Sequence, residues 1–174
     1  MVVDARRRLL LRGRVARAGA RTVPTPLRPP WALDEDRFAR ACTRCNACVA
    51  ACSQRLITVG DGGYPEVRFD ERGCTFCGDC VSACAPAALH RAPGATPWDQ
   101  VARIGDACLA QRRVECRICG DACQPGAIRF VPKRGSVAQP KIDDENCTGC
   151  GDCVAPCPVM AIAVVGTAAH ARQG

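Results

Sequence analysis

The sequence predicts a small, loop-rich α+β protein built from two tandem copies of one cysteine-rich module, set behind a basic N-terminal arm. Three observations carry that expectation. All sixteen cysteines fall into four groups of four. The spacing inside and between the groups repeats along the chain, so the two halves are copies of each other. Residues 1 to 30 hold eight arginines and a single acid, and so carry the whole formal charge of +7.

The arm begins Arg6-Arg7-Arg8-Leu9-Leu10-Leu11-Arg12. A twin-arginine export signal needs an apolar stretch of about 7–15 residues, and only three leucines precede Arg12 and Arg14. No stretch of the sequence is long and apolar enough to span a bilayer. These features predict a cytoplasmic protein, in the compartment where thiols stay reduced. The arm reads either as a solvated tail or as a docking arm for an acidic partner. It lacks the aromatic or lysine-rich pattern of a nucleic-acid or lipid binder. Arg28-Pro29-Pro30-Trp31 closes it, an extended proline pair whose tryptophan either anchors in a partner groove or covers the first module.

The first module, residues 31–95, contains Cys42/Cys45/Cys48/Cys52 and Cys74/Cys77/Cys80/Cys84. The second, residues 96–174, contains Cys108/Cys116/Cys119/Cys123 and Cys147/Cys150/Cys153/Cys157. Three of the four groups have the spacing C-x2-C-x2-C-x3-C, which wraps a 4Fe-4S cube. Such a cube has four iron corners. A tight loop supplies three thiolates from one side, and the fourth comes from the last cysteine of the neighbouring group, as in bacterial two-cluster ferredoxins. The expected ligand sets are therefore crossed: Cys42, Cys45, Cys48 with Cys84; Cys74, Cys77, Cys80 with Cys52; Cys108, Cys116, Cys119 with Cys157; and Cys147, Cys150, Cys153 with Cys123. The chain would then be two tandem bacterial-type two-cluster 4Fe-4S ferredoxin modules.

Two other uses of the cysteines compete. Disulfide frameworks belong to small secreted domains, and cysteines three apart in triplets are poorly placed for many simultaneous bridges. Zinc takes four thiolates as well, but from separated pairs rather than repeated triplets. In the third group seven residues separate Cys108 from Cys116, although its last three cysteines keep the regular C-x2-C-x3-C. The three regular groups predict three clusters. The irregular group predicts a fourth, unless Cys108 is a buried structural thiol and the site is three-ligand, labile or empty.

Cys45, Cys48 and Cys52 recur at one constant offset as Cys116, Cys119 and Cys123, and Cys74 to Cys84 recur two residues further on as Cys147 to Cys157. The second copy therefore carries a five-residue insertion between its first two cysteines. Between the groups, Leu56-Ile57-Thr58-Val59 and Val67-Arg68-Phe69 flank the turn sequence Gly60-Asp61-Gly62-Gly63-Tyr64-Pro65, which predicts two short strands. The second copy offers Ile128-Arg129-Phe130-Val131 and Pro140-Lys141-Ile142-Asp143. Val49-Ala50-Ala51 and Val81-Ser82-Ala83 predict helices of one or two turns. Pro86, Pro93, Gly94, Pro97 and Trp98 mark the boundary, with Trp98 packed on a module face.

Each half has few large apolar side chains, and only 4% of residues are aromatic. The clusters must then act as core, since each cube ties distant segments together. Four oxidised cubes with their thiolates would bring the body to about −8, beside an arm of +7. No catalytic constellation is visible. His90 and His170 are the only histidines, and no acid, base or nucleophile joins them. Neither an enzyme activity nor a small-molecule substrate is expected.

With these motifs laid out, the chain resembles the NapF-type ferredoxin-like proteins encoded with periplasmic nitrate reductases. The resemblance rests on Arg6-Arg7-Arg8 with Gly13-Arg14, Arg28-Pro29-Pro30-Trp31, Cys42-Thr43-Arg44-Cys45 and Gly62-Gly63-Tyr64-Pro65. It continues through Trp98-Asp99, Ile104-Gly105-Asp106-Ala107-Cys108-Leu109-Ala110 and Val114-Glu115-Cys116-Arg117. It implies a cytoplasmic accessory protein that contacts the molybdenum-containing catalytic subunit of the nitrate reductase before export, assisting its maturation by cluster assembly or electron supply. The chain departs from the family where a proline usually follows the fourth cysteine, since only Cys157-Pro158 keeps it. A general low-potential multi-cluster electron-transfer ferredoxin is the other function these cysteines suit. Stripping iron is expected to unfold most of the chain; a cooperative, native-like circular dichroism melt of the apoprotein would contradict that.

Overall fold

The computed structural model describes residues 26–166. The basic arm expected over residues 1 to 30 lies outside the described residues except for its last five, and so does His170.

Helix α1 (Glu35–Ala41) starts at Asp34, whose carboxylate accepts from the Arg37 backbone N–H at 3.1 Å. Glu35 and Asp36 occupy the first turn and Arg40 the last, the charge order that the helix dipole favours. The helix turns Phe38 inward, where it is fully buried. Over that ring lies the Arg28 guanidinium, 5.0 Å from the Phe38 centroid and 5.3 Å from that of Tyr64. The same guanidinium makes a two-pronged ion pair with Glu35 at 2.6 and 2.9 Å. Pro29 is fully buried and Trp31 is only 6% exposed. The segment Arg28–Trp31 is therefore packed into the first module, and its tryptophan is core rather than an anchor for a partner.

Short helices α2 (Ala47–Ala51) and α3 (Asp79–Ser82) pack against each other and carry Cys48 and Cys80 into the interior. Helix α4 (Ile118–Asp121) carries Cys119 in the second half. Strands β1 (Ile57–Val59) and β2 (Pro65–Val67) pair antiparallel, from Ile57 opposite Val67 to Val59 opposite Pro65. The second strand thus lies two residues earlier than the sequence pattern suggests. The turn is tighter than its glycine-rich stretch implies: the Gly60 N–H donates to the Tyr64 carbonyl at 2.8 Å, and Gly62 and Gly63 take φ of 66° and 80°. The equivalent hairpin of the second half is β4 (Ile128–Val131) with β5 (Gln139–Ile142), Ile128 opposite Ile142.

A third ladder joins segments that no single turn connects. Strand β3 (Gln100–Ile104) pairs antiparallel with β6 (Ile162–Gly166), so the second half closes by joining its two ends. The first half closes in the same way with a single bridge, Ala32 opposite Leu89. There the Leu33 N–H donates to the Ala88 carbonyl at 3.1 Å and the His90 N–H to the Trp31 carbonyl at 2.8 Å. The duplication read from cysteine spacing extends to how each module shuts.

Two apolar clusters form the core. The first gathers Phe38, Leu56, Ile57, Val67, Phe69 and Leu89, and it takes in Val164 from β6 of the other half. The second gathers Ala102, Ile128 and Ile162, with Phe130 and Ile142 half-buried against it. Buried cysteines belong to both. No polar or charged residue is buried among the described residues. The Phe38→Ala variant should lose about 3–5 kcal/mol of stability, as for other fully buried phenylalanines. Denaturant unfolding of the iron-loaded protein checks this, and a loss under about 1 kcal/mol would show that Phe38 does not hold the first module.

Candidate iron-sulfur sites

Among the described residues, four apolar cavities are each lined by four cysteines. Site I brings together Cys42, Cys45, Cys48 and Cys84, beside Phe38, Pro65 and Leu89. Site II brings together Cys52, Cys74, Cys77 and Cys80, beside Trp31, Phe76 and Trp98. Site III gathers Cys123, Cys147, Cys150 and Cys153 against Ala102 and Ile128. Site IV gathers Cys108, Cys116, Cys119 and Cys157 against Ile104, Ile118 and Ile162. In every site three thiols come from one group and the fourth from the last cysteine of the other group in that module. This is the crossed grouping that the spacing predicts.

The backbone explains how a short loop aims three thiols at one point. In the three regular groups the residues on both sides of the second cysteine take positive φ: Arg44 at 58° and Asn46 at 61°, Phe76 at 54° and Gly78 at 89°, Gly149 at 68° and Gly151 at 83°. Left-handed residues so placed curl the chain into a concavity lined by backbone N–H groups, a form suited to anionic groups such as iron-sulfur clusters. Arg44, Asn46 and Phe76 adopt it without the freedom of glycine, a strain of roughly 1–2 kcal/mol each that the surrounding fold must hold.

The third group reaches the same result by another route. Its inserted residues fold into a compact turn in which the Arg112 N–H donates to the Cys108 carbonyl at 3.1 Å and the Val114 N–H to the Leu109 carbonyl at 2.9 Å. The Gln139 side chain pins that turn by donating to the Ala110 carbonyl at 2.6 Å, and Ala110 is 1% exposed. The extra length is folded outward, so Cys108 still faces Cys116, Cys119 and Cys157. Site IV spans about 350 Å³ of cavity and adjoining solvent space, within the range of about 310 to 420 Å³ for the others. The irregular site is therefore not collapsed.

Each quartet also receives at least one backbone N–H···S bond. Leu89 donates to Cys84 Sγ at 3.4 Å in site I, Phe76 to Cys74 Sγ at 3.4 Å in site II, Ala102 to Cys147 Sγ at 3.4 Å in site III, and Ala161 to Cys157 Sγ at 3.2 Å in site IV. Donors aimed at sulfur favour the thiolate over the thiol and tune the potential of a bound cluster. Burial works in the opposite sense. It pushes the Cys74 and Cys119 thiols up to about 11, and Cys80 and Cys153 up to about 12, with nearby cysteines adding to the effect. Burial also raises Cys48 and Cys150. Only exposed Cys45 is lowered, chiefly by the Ala47 backbone N–H. Burial thus holds Cys48, Cys74, Cys80, Cys119, Cys150 and Cys153 as neutral thiols at neutral pH, and a strongly positive group is needed to displace those protons.

The geometry also selects the kind of group. All sixteen cysteines are unbridged. Among the described residues, no three His, Cys, Asp or Glu side chains come together as a single metal ion requires. Thiols set around a cavity rather than a point suit a polynuclear cluster better than zinc. The quartets therefore fit 4Fe-4S cubes.

Comparison with known proteins agrees. The model of the 4Fe-4S dicluster domain matches twice, over residues 41–88 and 112–161. This is a ferredoxin-type iron-sulfur protein with a repeated dicluster domain. The "Ferredoxin-type protein NapF" of Escherichia coli strain K12 is 44% identical over 170 residues, covering 98% of this chain and 100% of that protein. The protein of that name from Haemophilus influenzae is 46% identical over 136 residues, 78% of this chain and 77% of that protein. A "Methylamine utilization ferredoxin-type protein MauM" from Methylobacillus flagellatus is 34% identical over 172 residues, 89% of this chain and 71% of that protein. The chain belongs to the NapF family of ferredoxin-type proteins.

If site IV holds a cube, Cys108→Ser should lower the iron bound after anaerobic reconstitution by about a quarter. Unchanged iron content would return Cys108 to the role of a structural thiol.

Proposed function

We propose that this chain is a cytoplasmic four-cluster accessory protein that assists maturation of the catalytic subunit of a periplasmic nitrate reductase before export. In this reading Cys42, Cys45, Cys48 and Cys84 hold the first cluster, and Cys74, Cys77, Cys80 and Cys52 the second. Cys147, Cys150, Cys153 and Cys123 hold the third, and Cys108, Cys116, Cys119 and Cys157 the fourth. Bound cubes would supply one-electron chemistry, and iron and sulfide that can be given up. The end-to-end similarity to NapF proteins is the observation that carries the reading. The two halves then correspond to modules at 31–95 and 96–174, each with two clusters.

One feature of the sites bears on how the help is given. Cys45 and Cys77, the second cysteines of the two groups in the first module, are exposed, whereas every cysteine of the second module is buried or half-buried. The first module is therefore where a partner meets a fully exposed ligand. That suits either release of a cube or electron exchange there. No helix among the described residues is long and apolar enough to cross a membrane. The packing of Arg28–Trp31 leaves residues 1–25 as the segment that can serve as a docking arm, with a charge suited to an acidic partner.

Mixing the loaded protein anaerobically with cluster-free catalytic subunit, then re-separating the two, tests the reading. Gain of iron, sulfide and nitrate-reducing activity by the subunit as this chain loses cluster supports donation. Association and restored activity without cluster movement supports electron supply. No association would leave a general electron-transfer ferredoxin. Deleting residues 1–25 should leave iron content unchanged and weaken association more at low salt than at high, because the attraction is between charges.

A further inference from the structure

The two inner sites meet across the boundary between modules. The backbone N–H of Cys74 in site II donates to the backbone carbonyl of Cys150 in site III at 2.7 Å. Both residues line their sites with thiols, so one hydrogen bond and a handful of covalent bonds separate the two sulfurs. The loops that carry them press together with no room for side chains. A Cβ on Gly73 would lie 2.6 Å from the Asp152 backbone nitrogen, and one on Gly151 would lie 2.1 Å from the Phe69 ring.

Trp98 clamps this contact. Its indole lines site II and stands edge-on to Phe76 and Phe69, with centroids 5.4 and 6.2 Å away. Its N–H donates at 2.9 Å to the Thr148 carbonyl, in the loop between the Cys147 and Cys150 thiols of site III. Gly149 sits so close that a Cβ there would meet the Gln100 carbonyl oxygen at 2.5 Å and the Trp98 indole nitrogen at 2.9 Å. Trp98 touches the walls of both inner sites.

Inside each module the crossed arrangement already links two sites. Helix α2 carries Cys48 of site I and ends at Cys52 of site II, and α3 carries Cys80 of site II toward Cys84 of site I. In the second module α4 carries Cys119 of site IV toward Cys123 of site III. The order I, II, III, IV is thus continuous.

We propose that the Cys74–Cys150 contact, held by Trp98 as a positioning residue, joins the two modules into a single four-site electron path rather than two independent carriers. The proposal rests on the four-cluster reading. An electron crossing the junction oxidises one inner site by one electron and reduces the other by one, with no bond broken and no proton moved. Electron transfer falls steeply with distance, so a junction made by adjoining ligand residues favours passage through the molecule. A donor at exposed Cys45 of site I can then supply an acceptor docked over half-buried Cys108 or Cys116 of site IV, at the far end of the path.

The test isolates the inner pair in the full-length chain. Replacing Cys45→Ala and Cys116→Ala removes one thiol from each outer site, and retention of about half the iron and sulfide shows that sites II and III are loaded. Low-temperature EPR of the reduced variant should show splitting and faster relaxation from two interacting spins, and adding Trp98→Leu should weaken both per loaded pair of sites, with iron and sulfide counted in the same samples. Two unsplit, independently relaxing signals with half the iron present would overturn the proposal. An interaction unchanged by Trp98→Leu would overturn the role of Trp98. Should the double variant fail to fold, pulsed EPR on the unsubstituted loaded protein decides: interactions spanning the two modules support the junction, and two separate pairs refute it. Failure of the unsubstituted protein to take up iron at all would overturn the four-cluster reading and the proposal with it, a result distinct from loaded but uncoupled sites.

Discussion

The described structure depends on one constraint: the last cysteine of each group must reach the cavity made by the other group of its module. A loop with cysteines three apart covers only one side of a cavity, so the fourth thiol has to arrive from a distant segment. Helices α2 and α3 exist to meet it, each leading from a buried cysteine of one site toward the last cysteine of its group, which serves the neighbouring site. The hairpins between the groups hold the two loops at that separation. The end-to-end closure by Ala32 with Leu89, and by β3 with β6, then seals each half around its pair of sites.

This arrangement explains a core that is thin by ordinary standards. Large buried side chains are few, and several buried positions are cysteines whose thiols face cavities. Neutral thiols pushed up by burial, and left-handed residues such as Arg44 and Phe76, are unfavourable features on their own. Each becomes favourable once a positively charged cluster core binds the sulfurs and fixes the loop. Folding and loading would then be one event. The two modules are not separate in this respect either, since Val164 completes the first apolar cluster and the Cys74–Cys150 contact joins the inner loops.

The cysteine quartets were legible because their spacing is local. Spacing grouped the cysteines, and the rule that the fourth ligand crosses over anticipated which of them meet. Both hairpins were visible as short apolar runs around turn residues, with β2 displaced because Gly60–Gly63 closes a tighter turn than its length suggests. What escaped the sequence depends on tertiary contact. Helix α1 had its capping signal in Asp34 and its acidic first turn, but it is short and needs Phe38 to be buried before it is stable. The β3–β6 ladder joins the two ends of a module, and nothing in either strand names its partner. Arg28–Trp31 stayed open between two readings because the pattern is the same whether it docks on another protein or, as here, on its own module. The third cysteine group was ambiguous since the fate of an insertion depends on whether it folds outward, which Gln139 and the buried Ala110 ensure.

In this reading all four quartets, the irregular one included, are cluster sites. Iron and acid-labile sulfide counted per chain after anaerobic reconstitution, with unprotected cysteines identified by alkylation, test it most directly. The account predicts about 16 iron and about 16 sulfide with no cysteine alkylated. About 12 of each, with Cys108, Cys116, Cys119 and Cys157 alkylated, would contradict it and leave site IV as a folded cavity without a cluster.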